Sequence, residues 1–130
     1  MSDSNSRPTS PGEVIERFSA CLNSGDLDGA LSLYLPEAVF QAAPGEAAIT
    51  GAEPIREALA SFLALRPEMT GELRTVHEAG DTALVINSWH MRGTRPGGEP
   101  VEMAGVSADV MRRREDGSWA ILVDDPWGGA

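Results

Sequence analysis

The stretch that decides the fold runs from Thr82 to Arg114 and reads TALVINSWHMRGTRPGGEPVEMAGVSADVMRRR. Apolar and polar residues alternate along both of its halves, and Pro96-Gly97-Gly98 separates them. A period of two predicts strands, and a Pro/Gly cluster between two such runs predicts a turn. The flanking runs 71–79 and 118–125 follow the same pattern and are joined to it by Gly80-Asp81 and Asp116-Gly117. The second half of the chain is therefore predicted to form an antiparallel sheet.

The first half has helical periodicity instead. A first helix from Pro11 ends at Gly25, and a second helix begins after Asp26 and ends at Pro36, with Tyr34 on its apolar side. A short strand at 38–42 and a third helix beginning near Pro54 follow. Residues 1–10 are polar and are predicted to form a mobile tail, whereas residues 11–130 form one domain. Helices followed by an antiparallel sheet make an α+β fold. A long twisted sheet can curve around three helices packed on its concave face and leave a cavity between them.

Composition excludes several classes of protein. The chain has 130 residues with 10 basic and 20 acidic groups, and a net charge of −10 disfavours binding to nucleic acid. One cysteine excludes an internal disulfide framework, and no apolar run approaches the roughly 18 residues of a membrane span. The polar start of the chain predicts no signal peptide, so we expect a cytoplasmic protein. His77 and His90 have no partners at metal-ligand spacing, and no Gly-rich phosphate loop follows a strand, so we expect neither metal nor cofactor.

Several segments together resemble a known family. In the first half these are residues 14–18 (VIERF), 22–30 (LNSGDLDGA), 38–40 (AVF) and 51–57 (GAEPIRE), which are similar to the NTF2-like superfamily of ketosteroid isomerases and polyketide cyclases. In the second half, residues 107–113 (SADVMRR), 116–119 (DGSW) and 124–128 (DDPWG) resemble its SnoaL-like branch more closely. The resemblance covers about residues 11–128 and implies a cone-shaped pocket for a small hydrophobic molecule. It also implies a homodimer through the outer sheet face, where Leu84, Ile86, Val106 and Val110 need covering.

The resemblance to ketosteroid isomerases can be checked at three positions. The family's oxyanion-donating tyrosine corresponds to Phe18, its general-base aspartate to Ala42 and its protonated aspartate to Asp109. That enzyme is the standard worked case of a carboxylic acid kept neutral by an apolar site. A phenyl ring has no hydroxyl and a methyl group accepts no proton. The ketosteroid isomerase mechanism is therefore not supported.

The remaining acid defines the candidate site. Strand alternation places Asp109 and Ser107 on one face of their strand, with Asn87 and Trp89 on the same face of the neighbouring strand. Desolvation would raise the pKa of Asp109 and suit it for acid–base work, with Asn87 as the orienting group. Asp124 is the candidate second carboxylate, although apolar alternation from Trp119 to Val123 favours Asp125 instead, and both remain open. The predicted substrate-binding residues are Phe18, Leu22, Phe40, Ile55, Leu59, Phe62, Val85, Trp89, Ser107 and Met111.

These residues support two main functional hypotheses. The first is a cofactor-independent cyclase, isomerase or dehydratase that acts on a hydrophobic polyketide- or terpenoid-like molecule. The second is a non-catalytic protein that binds or sequesters a hydrophobic metabolite, which Phe18 and Ala42 favour because they keep the shape without reactive groups. A third is a dimeric interaction module with a vestigial cavity. A structure distinguishes the third from the first two by whether the cavity is open.

Overall fold

Three helices form the first layer of the fold. A computed structural model describes residues 7–129, and its helices are α1 (Pro11–Ser24), α2 (Leu27–Ser32) and α3 (Ala52–Leu63). Ser10 begins α1 because its side-chain oxygen accepts a hydrogen bond from the Glu13 N–H at 3.2 Å. Gly25 ends α1 in the left-handed conformation, with φ at 74°. These ends confirm the predicted boundaries of the first helix.

Six strands form the second layer. They are β1 (Tyr34–Phe40), β2 (Ile49–Thr50), β3 (Glu68–Ala79), β4 (Thr82–Thr94), β5 (Pro100–Arg113) and β6 (Trp119–Asp125). Their order in one sheet is β2-β1-β6-β5-β4-β3, and all neighbours pair antiparallel except β1 with β6, which pair in parallel. The sheet is curved and unclosed, and the α+β prediction with a mostly antiparallel sheet is confirmed.

The second predicted helix is too long. It stops at Ser32, and Tyr34 begins β1 instead of ending a helix. The cause is a contact distant in sequence: the Leu33 carbonyl accepts a hydrogen bond from the Ile121 N–H at 2.8 Å, and Tyr34 pairs with Ile121 on β6. Pro36 therefore lies inside a strand.

The start of the chain also differs from the predicted tail. Pro8 is among the fully buried side chains, and its carbonyl accepts a hydrogen bond from the Trp119 N–H at 2.9 Å. Thr9 contacts Glu13 and Ser10 caps α1, so residues 7–10 pack on the domain. The rest of the predicted tail, residues 1–6, lies outside the described residues.

The β4–β5 pair sets the inner face of the sheet. Its register runs without a shift from Thr82 opposite Arg112 to Thr94 opposite Pro100. Asn87 pairs with Ser107, and Trp89 pairs with Gly105. Because residues two apart share a face, the side chains of Asn87, Trp89, Ser107 and Asp109 all point towards the helices, as the alternation predicts.

A β-bulge in β6 decides which acid faces inward. Ile121 lies opposite Met111, but Val123 lies opposite the adjacent residue Val110, so Leu122 is an extra residue in β6. The extra residue reverses the alternation beyond it. Asp124 therefore points to the same side as Ile121, and both line the cavity. The simple alternation that favoured Asp125 fails at this bulge.

The core lies between the helices and the inner face. Three residues that were predicted to bind substrate, Ile55, Val85 and Met111, are wholly inaccessible to solvent and belong to this core. They pack with Val14 of α1 among other apolar side chains. None of the described helices is long and apolar enough to cross a membrane.

Candidate active site

A cavity of about 190 Å³ lies between α1, α3 and the inner face of the sheet. Its wall is mostly apolar and carries a few polar groups. The lining residues are Ile15, Phe18, Ser19, Leu22, Phe40, Ala42, Ala58, Leu59, Phe62, Met69, Asn87, Trp89, Met103, Ser107, Asp109, Ile121, Asp124, Pro126 and Trp127. An apolar pocket with a few convergent polar groups is the usual form of a small-molecule site.

Most of the predicted site residues meet in this cavity. The three predicted catalytic residues, Asn87, Asp109 and Asp124, all line it. The predicted substrate-binding residues that line it are Phe18, Leu22, Phe40, Leu59, Phe62, Trp89 and Ser107. Ile55, Val85 and Met111 are absent from the lining because their side chains are enclosed by the core. Helix and strand periodicity identifies an inward face, but it does not separate core from cavity wall.

The two carboxyl groups of the site are paired. Asp109 on β5 lies directly opposite Asp124 on β6. Asp109 is 5% exposed and Asp124 is 7% exposed. Burial and the neighbouring carboxyl disfavour the ionised form of Asp109 and raise its pKa. The pair therefore tends to retain a proton.

Tyr34 completes the pair and was missed as a site residue by sequence reasoning. Its hydroxyl donates a hydrogen bond of 2.6 Å to Oδ2 of Asp124. The centroid of the Tyr34 ring lies 5.8 Å from that of Phe18 and 6.2 Å from that of Phe40. Phe18, the position that corresponds to the tyrosine of ketosteroid isomerases, packs against the edge of the Tyr34 ring. Only the parallel pairing of β1 with β6, which the sequence does not reveal, brings Tyr34 to Asp124.

The environment separates the two acids. Burial raises the pKa of Asp109 well above its usual range, and the negative charge of Asp124 raises it further. The Asp125 N–H, 3.2 Å from Oδ1 of Asp109, and the Ser107 side chain oppose this only in part. Burial also raises the pKa of Asp124, but the hydrogen bond from Tyr34 and the neighbouring Asp109 favour its ionised form. The pKa of Asp109 is therefore raised further than that of Asp124, and Asp109 is the member of the pair that holds a proton more strongly.

Tyr34 itself remains a hydroxyl. Burial and the adjacent Asp124 carboxylate raise its pKa well above the ordinary tyrosine value. Tyr34 is thus a hydrogen-bond donor to Asp124 throughout the neutral pH range.

Asn87 contributes an unsatisfied polar group beside this pair. It is 7% exposed, and its buried Oδ1 has no hydrogen-bond partner among the described residues. The Ser107 hydroxyl donates instead to the backbone carbonyl of Asn87 at 3.2 Å. A buried polar atom without a partner is uncommon and requires an explanation.

The segment after β6 closes one side of the cavity. The Trp89 indole N–H donates to the Pro126 carbonyl at 2.7 Å, and the Trp127 ring meets Trp89 edge-on at 5.9 Å between centroids. Gly105 permits this contact, because a Cβ at that position would lie 2.9 Å from the Trp89 ring. The segment is held further by the Gly129 N–H, which donates to the Val106 carbonyl at 2.9 Å.

The other candidates considered in the sequence lie away from the cavity. His90 pairs with Glu102 on the outer face of the sheet, and His77 is exposed on β3. Among residues 7–129, no cluster of three or more His, Cys, Asp or Glu side chains could hold a metal ion. The two positions that differ from ketosteroid isomerase, Phe18 and Ala42, both line the cavity.

Comparison with known proteins places this site in a family. A family model described as the SnoaL-like domain matches residues 15–121. A ketosteroid isomerase-like protein from Erwinia carotovora has a similar structure, with a TM-score of 0.75 and 20% identity over 87% of this chain and 88% of that one.

Two further solved structures are similar. One is a conserved protein from Planctomyces limnophilus, with a TM-score of 0.78 and 20% identity over 87% of this chain and 88% of that one. The other, from Streptomyces avermitilis, is described as a proposed dehydratase of the NTF2-like family, with a TM-score of 0.70 and 22% identity over 87% of this chain and 89% of that one. At these identities the structures share the fold alone. The extent of the family match shows that the chain belongs to the SnoaL-like family.

Proposed function

We propose that this protein is a cofactor-independent enzyme that moves protons on a small, largely apolar molecule. The reaction classes that fit are cyclisation, isomerisation and dehydration of an oxygen-bearing polyketide- or terpenoid-like compound. The observation that carries the proposal is the pair of buried acids Asp109 and Asp124, directly opposite each other on neighbouring strands at the wall of an apolar cavity. Two acids whose surroundings separate their pKa values are a recurrent basis for acid–base assignment.

Each polar residue has a distinct role in this proposal. Protonated Asp109 is the general acid and donates to an oxygen of the substrate. Ionised Asp124 is the general base, and Tyr34 keeps it ionised and fixed in position through its 2.6 Å hydrogen bond. Asn87 orients the substrate through its side-chain amide. The apolar walls exclude water, which strengthens the interactions of both carboxyls with the substrate.

The test is exchange of substrate protons with solvent. Neutral single-ring ketones, enones and hydroxyketones are incubated with the protein in deuterium oxide, and deuterium incorporation at carbon is followed by NMR and mass spectrometry. The wild type is expected to catalyse exchange or conversion of at least one compound. Asp109→Asn and Asp124→Asn should each lower the rate by about 10²–10⁴-fold, the usual contribution of an acid–base group. Glu57→Gln, which changes an exposed acid on α3, is the matched control.

Binding without chemistry is the second candidate function. It is favoured by Phe18 and Ala42, which line the cavity with groups that cannot transfer protons. A carrier should bind a compound stoichiometrically and release it unchanged, with no deuterium incorporation. Affinity should survive Asp109→Asn in both cases, so the two functions are distinguished by turnover, which the enzyme loses in this variant and the carrier never shows.

We also propose that two copies pair through the outer face of the sheet. Leu84 is 41% exposed there, which is a large fraction for an apolar side chain in mid-strand. Light scattering after size exclusion should give twice the mass of the monomer for the wild type. Leu84→Glu should lower the measured mass to that of one monomer. A wild-type monomer at micromolar concentration would contradict the pairing.

A further inference from the structure

The ionisable side chains that line the cavity are all acidic. Its polar lining includes Asp109 and Asp124, and none of its lining residues is arginine or histidine. Both carboxyls of the acid pair face the cavity, so a negative charge on the pair has no balancing cation among the lining residues. A buried charge without a partner is costly, and a ligand of opposite sign relieves that cost.

Aromatic rings surround the same charge. The lining includes Phe18, Phe40, Phe62, Trp89 and Trp127. The faces of such rings carry partial negative charge and attract organic cations, most strongly where water is excluded. The rings therefore favour the same sign of ligand charge as the acid pair does.

The amide of Asn87 points independently to the same ligand. Its Oδ1 is buried, has no partner among the described residues, and belongs to a residue that lines the cavity. An unpaired acceptor needs a donor from the ligand, which an N–H or O–H group supplies and a ketone or ether does not. An ammonium group is the donor that also carries the charge favoured by the acid pair.

We propose that this cavity binds small organic ammonium ions, namely protonated primary or secondary amines attached to one apolar ring. The ammonium group lies at Asp124 and Asp109, one of its N–H groups donates to Asn87, and the ring contacts the aromatic wall. The size agrees with this class, because a cavity of about 150 Å³ already holds a benzene ring and this one measures about 190 Å³.

Binding changes the protonation of the pair in a defined way. An ammonium ion beside Asp109 favours its ionised form, and the released proton passes to the buffer. The groups that face Asp109 are Asp124, Tyr34, the Ser107 side chain and the Asp125 N–H. Asp124 is the one possible proton acceptor among them, and the bound cation favours its ionised form as well, so the proton is released to solvent.

The inference goes beyond the proposed function and does not depend on it. Binding of an amine requires charge and shape, whereas the proposed reaction also requires proton transfer to carbon or oxygen. The two can fail separately: a protein that binds amines but exchanges no deuterium is a binding protein. Within the enzyme proposal, an amine would mimic the positive charge that develops when Asp109 protonates a neutral substrate.

The test uses three probes of nearly equal shape, namely benzylammonium, benzyl alcohol and benzoate. Isothermal titration calorimetry is run in two buffers with different ionisation enthalpies, so that protons released on binding are counted. We expect benzylammonium to bind at least about tenfold more tightly than benzyl alcohol, benzoate not to bind, and about one proton to be released per ammonium bound. The preference should persist in about 1 M salt, where the Debye length is about 3 Å and long-range attraction to the acidic surface is screened.

Variants separate the site from the overall acidity of the protein. Asp109→Asn should bind benzylammonium with no proton release, and the double variant Asp109→Asn/Asp124→Asn should lose the preference over benzyl alcohol. Glu57→Gln removes one surface charge and should behave like the wild type in both respects. If the double variant does not fold, the proton count of Asp109→Asn still decides. Equal or tighter binding of benzyl alcohol, binding of benzoate, or no benzylammonium binding up to its solubility limit would each overturn the proposal.

Discussion

Replacing Asp109 by asparagine should make the protein more stable at neutral pH. Burial and the neighbouring Asp124 raise the pKa of Asp109 in the folded state. The folded protein therefore binds this proton more tightly than the unfolded chain, whose aspartates titrate near pH 3.9. The free energy of unfolding then falls as pH rises from that value through the folded-state pKa. Asparagine has no proton to retain and keeps a donor towards Asp124.

The size of the effect follows from the same linkage. Each pH unit by which the folded pKa exceeds the unfolded one costs about 1.4 kcal/mol at high pH. We expect Asp109→Asn to raise the free energy of unfolding at pH 8 by about 1–3 kcal/mol. For a chain of this length that corresponds to a rise in Tm of roughly 3–5 °C per kcal/mol. Near pH 4, where folded Asp109 is protonated and unfolded Asp109 is about half protonated, most of the gain should disappear.

The assay is urea denaturation followed by tryptophan fluorescence between pH 4 and pH 8. The control is Asp116→Asn, because Asp116 is exposed and hydrogen bonds from Ser118 lower its pKa. That carboxylate contributes stability above its unfolded pKa, and this is lost only as pH falls through its lowered folded pKa, so Asp116→Asn should destabilise throughout pH 4–8. Asp109→Asn should instead raise the free energy of unfolding at neutral pH. A loss of stability in Asp109→Asn that is equal at pH 4 and pH 8 would refute the proposed protonation of the pair.

Three further changes test other contacts of the site and fold. Tyr34→Phe removes the 2.6 Å hydrogen bond to Asp124. It should lower the free energy of unfolding by about 1.5–3 kcal/mol at pH 8. It should also raise the pKa of Asp124, and so shift the acidic limb of the pH–activity profile to higher pH. Gly105→Ala places a Cβ 2.9 Å from the Trp89 ring. Denaturation should show a loss of about 1–3 kcal/mol in the free energy of unfolding, and the fluorescence spectrum should change. An unchanged spectrum would contradict the contact. Ser10→Ala removes the cap of α1 and should lower the free energy of unfolding by about 1 kcal/mol, whereas Ser4→Ala, in the segment before Arg7, serves as the comparison.

The inner face of the sheet could be predicted because β4 and β5 pair without a break. Over that hairpin the period of two is never interrupted, so alternation alone placed Asn87, Trp89, Ser107 and Asp109 on one side. The turn residues Pro96-Gly97-Gly98 predict that β4 and β5 are neighbours in the sheet. Local pattern and long-range pairing agree in this part of the chain, and the prediction therefore holds.

The rest of the site depends on contacts that no local pattern reveals. The bulge at Leu122 selects Asp124 over Asp125, yet nothing in the sequence of β6 marks the extra residue. The parallel pairing of β1 with β6 turns Tyr34 from the expected end of a helix into the partner of Asp124. Similarly, Ile55, Val85 and Met111 differ from the cavity-lining residues only in how closely their neighbours pack around them.

The acid pair links stability and chemistry at this site. A side chain at position 109 that had only to fill space and hydrogen-bond Asp124 would serve better as asparagine, because the amide keeps the donor and avoids the cost of a raised pKa. The carboxyl group adds only one property, a proton that can leave. A variant that gains stability and loses both deuterium exchange and ammonium-linked proton release would therefore assign that property to Asp109. If Asp109→Asn gained stability but kept full turnover, the acid of the reaction would have to be sought elsewhere in the cavity.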